Sequence, residues 1–151
     1  MVSKTIVRNR KARHDFEILE TFETGIALQG TEVKSIRLGK VKLSEAFCQI
    51  SDSMQLDICQ MEVSVYKFGN IHNHKTNRNR KLLMHRREIM RLYSKIKEKG
   101  LTLIPLSLYL KERRVKVEMA LCRGKKLHDK RASLKEKDAR LEIKRSLKNL
   151  N

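Results

Sequence analysis

Phe16, Ile18 and Phe22 share one face of a period-two stretch, and Thr24-Gly25 follows with turn composition before Ile26-Ala27-Leu28. The pattern predicts a hairpin, two short strands joined by a tight turn. Gly30 and Gly39 then bracket Thr31 to Leu38, a segment short enough for one or two helical turns between strands. Strand patterns recur at 45–50 and 55–63, and the polar Ser51-Asp52-Ser53 between them has the composition of a turn. The strongest helical period lies further on. Ile89, Leu92, Tyr93 and Ile96 recur at i, i+3, i+4 and i+7, with Gly100 placed to end the helix. Beyond it Leu101, Leu103, Leu106, Leu108 and Leu110 alternate with smaller or polar residues, as do Val115, Val117, Met119 and Leu121. These predict two strands joined by the charged tip Lys111-Glu112-Arg113-Arg114, with Pro105 marking an edge position or a bulge.

Five or six short strands with one long and one small helix, in about 120 residues, suit a small closed barrel. The expected class is mainly β with α: an oligonucleotide-binding-type antiparallel β-barrel of five strands, with flanking helices and a basic C-terminal tail. A three-layer α/β fold fits poorly because helices do not alternate with strands. Residues 1–123 make the barrel and 124–151 the tail, which is helical by propensity. On a helical wheel its Leu134 and Leu141 fall opposite Ile143, Leu147 and Leu150, so no single stripe can dock it on the barrel.

Charge sharpens this picture. The 151 residues carry a net charge of +18, and the pI is near 10.2, so the partner is acidic. Two segments hold the excess. Residues 75–99 have ten Lys or Arg against two Glu, and residues 123–151 have eleven Lys or Arg against four Asp or Glu. Nucleic acid is the expected polyanion, since each neutralised phosphate releases a counterion. A membrane surface fits less well, because the chain has no Trp and no long apolar run. Met1-Val2-Ser3-Lys4 leads into charged residues instead of an apolar region, which predicts a cytoplasmic protein. Cys48, Cys59 and Cys122 are odd in number and far apart, so they read as reduced packing residues.

The stretch from Asn70 to Glu88 is dominated by Arg, Lys, Asn and His with interleaved Leu, a composition that reaches phosphates, sugars and exposed bases. Its plainer reading is a solvated loop. His72 and His74 have ligand-like spacing, but no acid or cysteine lies near enough to complete a metal set, so neither metal nor cofactor is expected. No nucleophile elbow, phosphate-binding loop or metalloprotease motif is present, and no enzyme is expected. An RNA-processing enzyme using His72, His74 or His85 is the rival reading. Few aromatics are free to stack bases, which favours folded RNA recognised through backbone and shape.

Four motifs then stand in order: 9–16 (Asn-Arg-Lys-Ala-Arg-His-Asp-Phe), 30–37 (Gly-Thr-Glu-Val-Lys-Ser-Ile-Arg), 78–85 (Arg-Asn-Arg-Lys-Leu-Leu-Met-His) and 124–131 (Gly-Lys-Lys-Leu-His-Asp-Lys-Arg). Together they resemble the small protein B (SmpB) family, the tmRNA-binding proteins of bacterial trans-translation. The resemblance covers nearly the whole chain. It implies a barrel that clamps the tRNA-like domain of tmRNA and enters stalled ribosomes with alanyl-tmRNA delivered by elongation factor Tu; the free protein is expected to be a monomer. It also implies a tail that fills the empty mRNA channel near the decoding centre, against small-subunit rRNA, and becomes helical there.

Carried over residue by residue, the resemblance assigns RNA contact to Asn9, Lys11, Arg13, His14, Glu23, Glu32, Lys34, Ser35, Arg37, Arg78, Arg80, Lys81 and Leu83. It assigns decoding-centre contact to Gly124, Lys125, Lys126, His128, Asp129, Lys130 and Arg131. Carboxylates do not bind phosphate, so Glu23 and Glu32 would meet sugar hydroxyls and base edges or orient neighbouring cations. A structural role for Glu32, paired with Lys34 and Arg37, is the alternative. If 132–150 is helical, Ile143, Leu147 and Leu150 form one stripe, while Lys137, Arg140, Lys144 and Lys148 crowd the other side. With no tertiary support the tail is expected to be disordered in the free protein and to fold on the ribosome. Two departures stand out. His74-Lys75-Thr76 replaces the family's usual His-Asp-Pro, and Asp52-Ser53-Met54 replaces its Asp-Gly-Glu turn.

Overall fold

A computed structural model describes residues 3–67 and 73–124. Strand β1 (Lys4–Arg8) leads into helix α1 (Arg10–Asp15), which no hydrophobic period announces because only Ala12 is buried. Its stability comes from Asn9. The Asn9 Oδ1 accepts from the Ala12 N–H at 3.3 Å, a helix cap, while Nδ2 donates to the carbonyls of Leu43 (3.2 Å) and Pro105 (3.0 Å).

Strand β2 (Phe16–Ile26) corrects the expected hairpin: it is one strand of 11 residues with no turn at Thr24-Gly25. Helix α2 (Gly30–Arg37) follows, then β3 (Val41–Lys42) and β4 (Phe47–Ile50). The expected strand over 55–63 breaks into β5 (Leu56–Cys59) and β6 (Glu62–Val63), with Gln60 at φ 60° between them. Strand β7 (Arg80–Leu83) precedes helix α3 (Arg86–Lys99), which Gly100 ends in the left-handed conformation at φ 62°. The long hairpin β8 (Thr102–Lys111) and β9 (Arg114–Gly124) completes the described residues. Its turn is Glu112-Arg113 alone, both at positive φ, with Lys111 and Arg114 already paired.

All pairings are antiparallel. The order β8-β4-β5-β7-β2-β9 closes on itself through β8–β9, β1 adds to β8, and β3 and β6 form a separate pair. Six strands therefore close the barrel where five were expected. The sixth is β7, masked in the sequence because its buried positions are Arg80 and Leu82. Gly25 sits where β2 meets both neighbours, opposite Leu83 and Lys116. A Cβ there would lie 3.2 Å from the Leu83 Cβ, so this glycine serves a close strand approach and not a turn. Pro105 lies at a register shift of β8, a bulge in a strand with partners on both sides.

Leu56, Ile58, Met61, Leu82, Leu92, Leu108, Val117 and Met119 fill the barrel interior, sealed at one end by α3. Each such side chain contributes about 1.5–3 kcal/mol on burial. A smaller cluster forms on the outside of the sheet, where α1 lays Ala12 over Ile104, Leu106, Ala120 and Cys122. All three cysteines are free and buried, as packing residues should be. Burial raises the pKa of Cys48 and pushes Cys122 up to about 11. The segment from 125 on, with six of the seven decoding-centre positions and the expected helix, lies outside the described residues.

Candidate nucleic-acid interface

Glu32 has no exposure at all, in a protein whose charge is overwhelmingly positive. An isolated buried carboxylate would be costly, so its partners matter. The Gln29 N–H donates to its Oε1 at 2.8 Å, as does Arg78 Nη2, and the Arg80 Nε donates to its Oε2. Burial raises the Glu32 pKa, but these donors outweigh it and hold the carboxyl below its ordinary value. The pairing expected with Lys34 and Arg37 is therefore corrected: Glu32 joins α2 to β7 across the fold.

Arg80 is equally buried, and its fork is spent on the chain. Nη1 donates to the carbonyls of Met61 and Arg78, both at 2.8 Å, and Nη2 to those of Lys75 (3.3 Å) and Thr76 (3.2 Å). Only a guanidinium has donors enough for this. The segment 73–79 is thus pinned despite the Lys75-Thr76 departure. His74 pins it again: Nε2 donates to the carbonyls of Val63 and Ser64 at 3.0 Å, and Nδ1 faces the Thr31 hydroxyl at 2.8 Å. With both ring nitrogens engaged and 5 % exposure, His74 is a structural latch. His72 lies outside the described residues, and His85 is the N-cap of α3.

Four sequence-derived contact residues, Asn9, Glu32, Ser35 and Arg80, are buried in this conformation; the side chains of Asn9, Glu32 and Arg80 are engaged with the chain itself, whereas the Ser35 hydroxyl is buried without a hydrogen-bond partner. Lys11, Arg13, His14, Glu23, Lys34, Arg37, Lys81 and Leu83 are exposed, and Arg78 is half-buried. Lys11 reaches Glu45 at 3.5 Å, His14 lies 3.0 Å from Asp15, and Lys34 sits over the Tyr66 ring at 5.3 Å. Arg37 donates to the Arg113 carbonyl at 3.1 Å, tying α2 to the tip of the β8–β9 hairpin. Glu23 accepts from the Tyr109 hydroxyl at 2.6 Å and from Lys111 at 3.3 Å. The Tyr109 hydrogen bond, with help from Lys111, lowers the Glu23 pKa. Sequence reasoning missed Tyr109 and Lys111 as partners of Glu23, because they lie on β8, 86 and 88 residues away along the chain.

Register places Glu23 and Leu83, of the expected contact residues, on one face. Glu23 lies opposite Glu118, and Gly25 opposite both Lys116 and Leu83, so β7, β2 and β9 present them together on the outside of the barrel. A groove of about 270 Å³ crosses one end of this face, with Gly25, Leu28, Val33 and Leu83 as an apolar floor and Arg113, Arg114 and Lys116 as a cationic rim. Apolar floor and cationic rim are what stacked bases and phosphates require. Among the described residues no group of three or more His, Cys, Asp or Glu could hold a metal ion, and no helix is long and apolar enough to cross a membrane.

A family model described as SmpB protein matches residues 6–149. The chain belongs to the SmpB family. An SsrA-binding protein of Carboxydothermus hydrogenoformans is 52% identical over 97% of this chain and 98% of its own length. One from Protochlamydia amoebophila is 53% identical over 95% and 93%. A solved SmpB chain, described as "tmRNA-SmpB: a journey to the center of the bacterial ribosome", is 48% identical. It superposes with a TM-score of 0.65, covering 80% of this chain and 85% of the other.

Proposed function

We propose that this protein is an RNA-binding factor of trans-translation, which binds the tRNA-like domain of tmRNA and brings it to stalled ribosomes. The observation that carries this reading is the membership of the SmpB family across nearly the full chain, together with a likeness to a tmRNA-SmpB structure. The outer face of the barrel supports it physically. Lys11, Arg13, Lys34, Arg37, Arg78 and Lys81 would meet phosphates, Glu23 a sugar or base edge, and Leu83 the flat side of a base.

Asn9, Glu32 and Arg80 then act by holding α1, α2 and β7 in place. The basic segment beginning at Gly124-Lys125-Lys126 and including His128, Asp129, Lys130 and Arg131 would serve the ribosome, near the decoding centre. Delivery by elongation factor Tu would come through the alanyl-tmRNA the barrel holds. The role is that of a stoichiometric binder, and no RNA turnover is expected.

Two functions on two parts of the chain can be separated. Truncation after Arg123 is expected to spare binding to the tRNA-like fragment while ending peptidyl transfer to alanyl-tmRNA on ribosomes stalled at a message end. Loss of fragment binding on truncation would overturn that division, and an active truncated protein would remove the tail from the rescue step.

A further inference from the structure

Beside the RNA face lies a cavity of about 400 Å³, lined by Arg8, Arg10, Arg13, Ser107 and Glu118 among others. Its charges are of both signs and do not satisfy one another. Among the described residues no ion pair involves Arg8, Arg10, Arg13 or Glu118, although Glu17, Glu20, Glu23, Glu32 and Glu45 each have a cation within 4.0 Å. Among the described residues the one side-chain hydrogen bond of Glu118 is from the Ser107 hydroxyl, at the limit of 3.5 Å. Glu118 also stands directly opposite Glu23, a like-charge pair that disfavours the sheet. Tyr109 and Lys111 relieve Glu23 only.

A half-buried carboxylate in a cavity rimmed by three arginines suits a ligand that carries donors at one end and negative charge at the other. A nucleotide has that shape, and the volume falls within the ~300–1,000 Å³ usual for small-ligand sites. A carboxylate offers two parallel acceptors and no donor. Guanine alone places two adjacent donors, N1–H and the N2 amine, on its Watson–Crick edge. In cytosine and adenine a ring-nitrogen lone pair beside the amine would face the second carboxylate oxygen. In uracil the single N–H lies between two carbonyls.

We infer that this cavity seats an unpaired guanine of the bound RNA, with Glu118 accepting from its N1–H and N2 amine while Arg8, Arg10 and Arg13 hold the flanking phosphates. The inference deepens the RNA-binding reading above and rests on it. Glu118 is then a specificity residue for one base, in a surface that otherwise reads backbone and shape.

Kethoxal, which modifies exposed guanine at N1 and N2, tests it on the tRNA-like fragment of tmRNA bound to full-length protein. The wild type should protect one unpaired guanine that Glu118→Gln leaves reactive, with the remaining footprint unchanged. Inosine at that position, which lacks the N2 amine, should weaken wild-type binding by about tenfold and leave Glu118→Gln binding unaltered. Guanine protection identical in the two proteins, or a change confined to cytosines probed with dimethyl sulfate, overturns the assignment. A wild type that leaves no footprint at all overturns the RNA-binding reading itself, a distinct result. Glu118 is partly exposed and Glu118→Gln removes its like-charge opposition to Glu23, so the variant should keep or slightly raise the wild-type urea midpoint, and a lowered midpoint with a lost footprint would count against a specificity role.

Discussion

At Glu32 a single carboxylate decides whether α2, β7 and the segment 73–79 share one geometry. Replacing it with Ala leaves Arg80 charged, buried and without its partner, a change that costs about 3–5 kcal/mol. Urea unfolding of Glu32→Ala should show a loss of that order, against under ~1 kcal/mol for Lys11→Ala, whose pair with Glu45 is solvent-exposed. The pH dependence has a definite sign. The Glu32 pKa is depressed in the folded state, so its contribution is fully present above the unfolded value of about 4.3 and is lost as pH falls through the folded value. Unfolding midpoints should therefore drop on acidification below about pH 4.3, and Glu32→Gln should flatten part of that slope. Arg80→Lys should release the 73–79 segment, visible as faster amide exchange there, because one ammonium cannot serve Glu32 and four carbonyls. None of this was legible in the sequence. Arg80 sits in a run of cations in which Lys75 and Lys81 are exposed and Arg78 is half-buried, and nothing local distinguishes a buried arginine from a phosphate-binding one.

Elements were legible where their periodicity had no competitor. Helix α3 and the β8–β9 hairpin follow directly from alternation and from Gly100. Strand β2 was misread because Thr24-Gly25 has turn chemistry, while the tertiary demand at Gly25 is room for the Leu83 side chain. Helix α1 was missed since its stability lies in the Asn9 clamp on Leu43 and Pro105 instead of an apolar stripe. Turn chemistry also predicts a gain. Glu112 and Arg113 occupy left-handed backbone at φ 53° and 66°, where non-glycine residues pay roughly 1–2 kcal/mol each. Replacing them with Asn-Gly should raise stability by about 1 kcal/mol in thermal or urea unfolding. The Arg37 contact to the 113 carbonyl survives that change, so RNA binding should alter little. Gly100→Ala, at φ 62° with no steric obstacle, should instead cost about 1 kcal/mol through backbone strain alone.

Over the whole molecule, charge told that a polyanion is the partner and could not tell which. A net charge of +18 draws any RNA, and that attraction weakens steeply with salt. The order of four motifs narrowed the partner, and the barrel gives a reason for their spacing: it brings 30–37 and 78–85 into contact through one buried carboxylate. We propose that recognition, as distinct from attraction, rests on the face that carries Glu23, Lys116, Leu83 and the Arg113 rim at fixed register. On this reading the barrel selects tRNA-like RNA by positioned groups, with charge as background. The most direct test is competition binding of the tRNA-like fragment of tmRNA against ordinary tRNA across a salt series. The account predicts tight fragment binding that excess tRNA does not displace and that persists as salt rises, with Glu32→Gln losing the preference while keeping the salt slope. Equal displacement by ordinary tRNA, with both affinities collapsing together as salt increases, would contradict it and leave charge as the whole of the interaction.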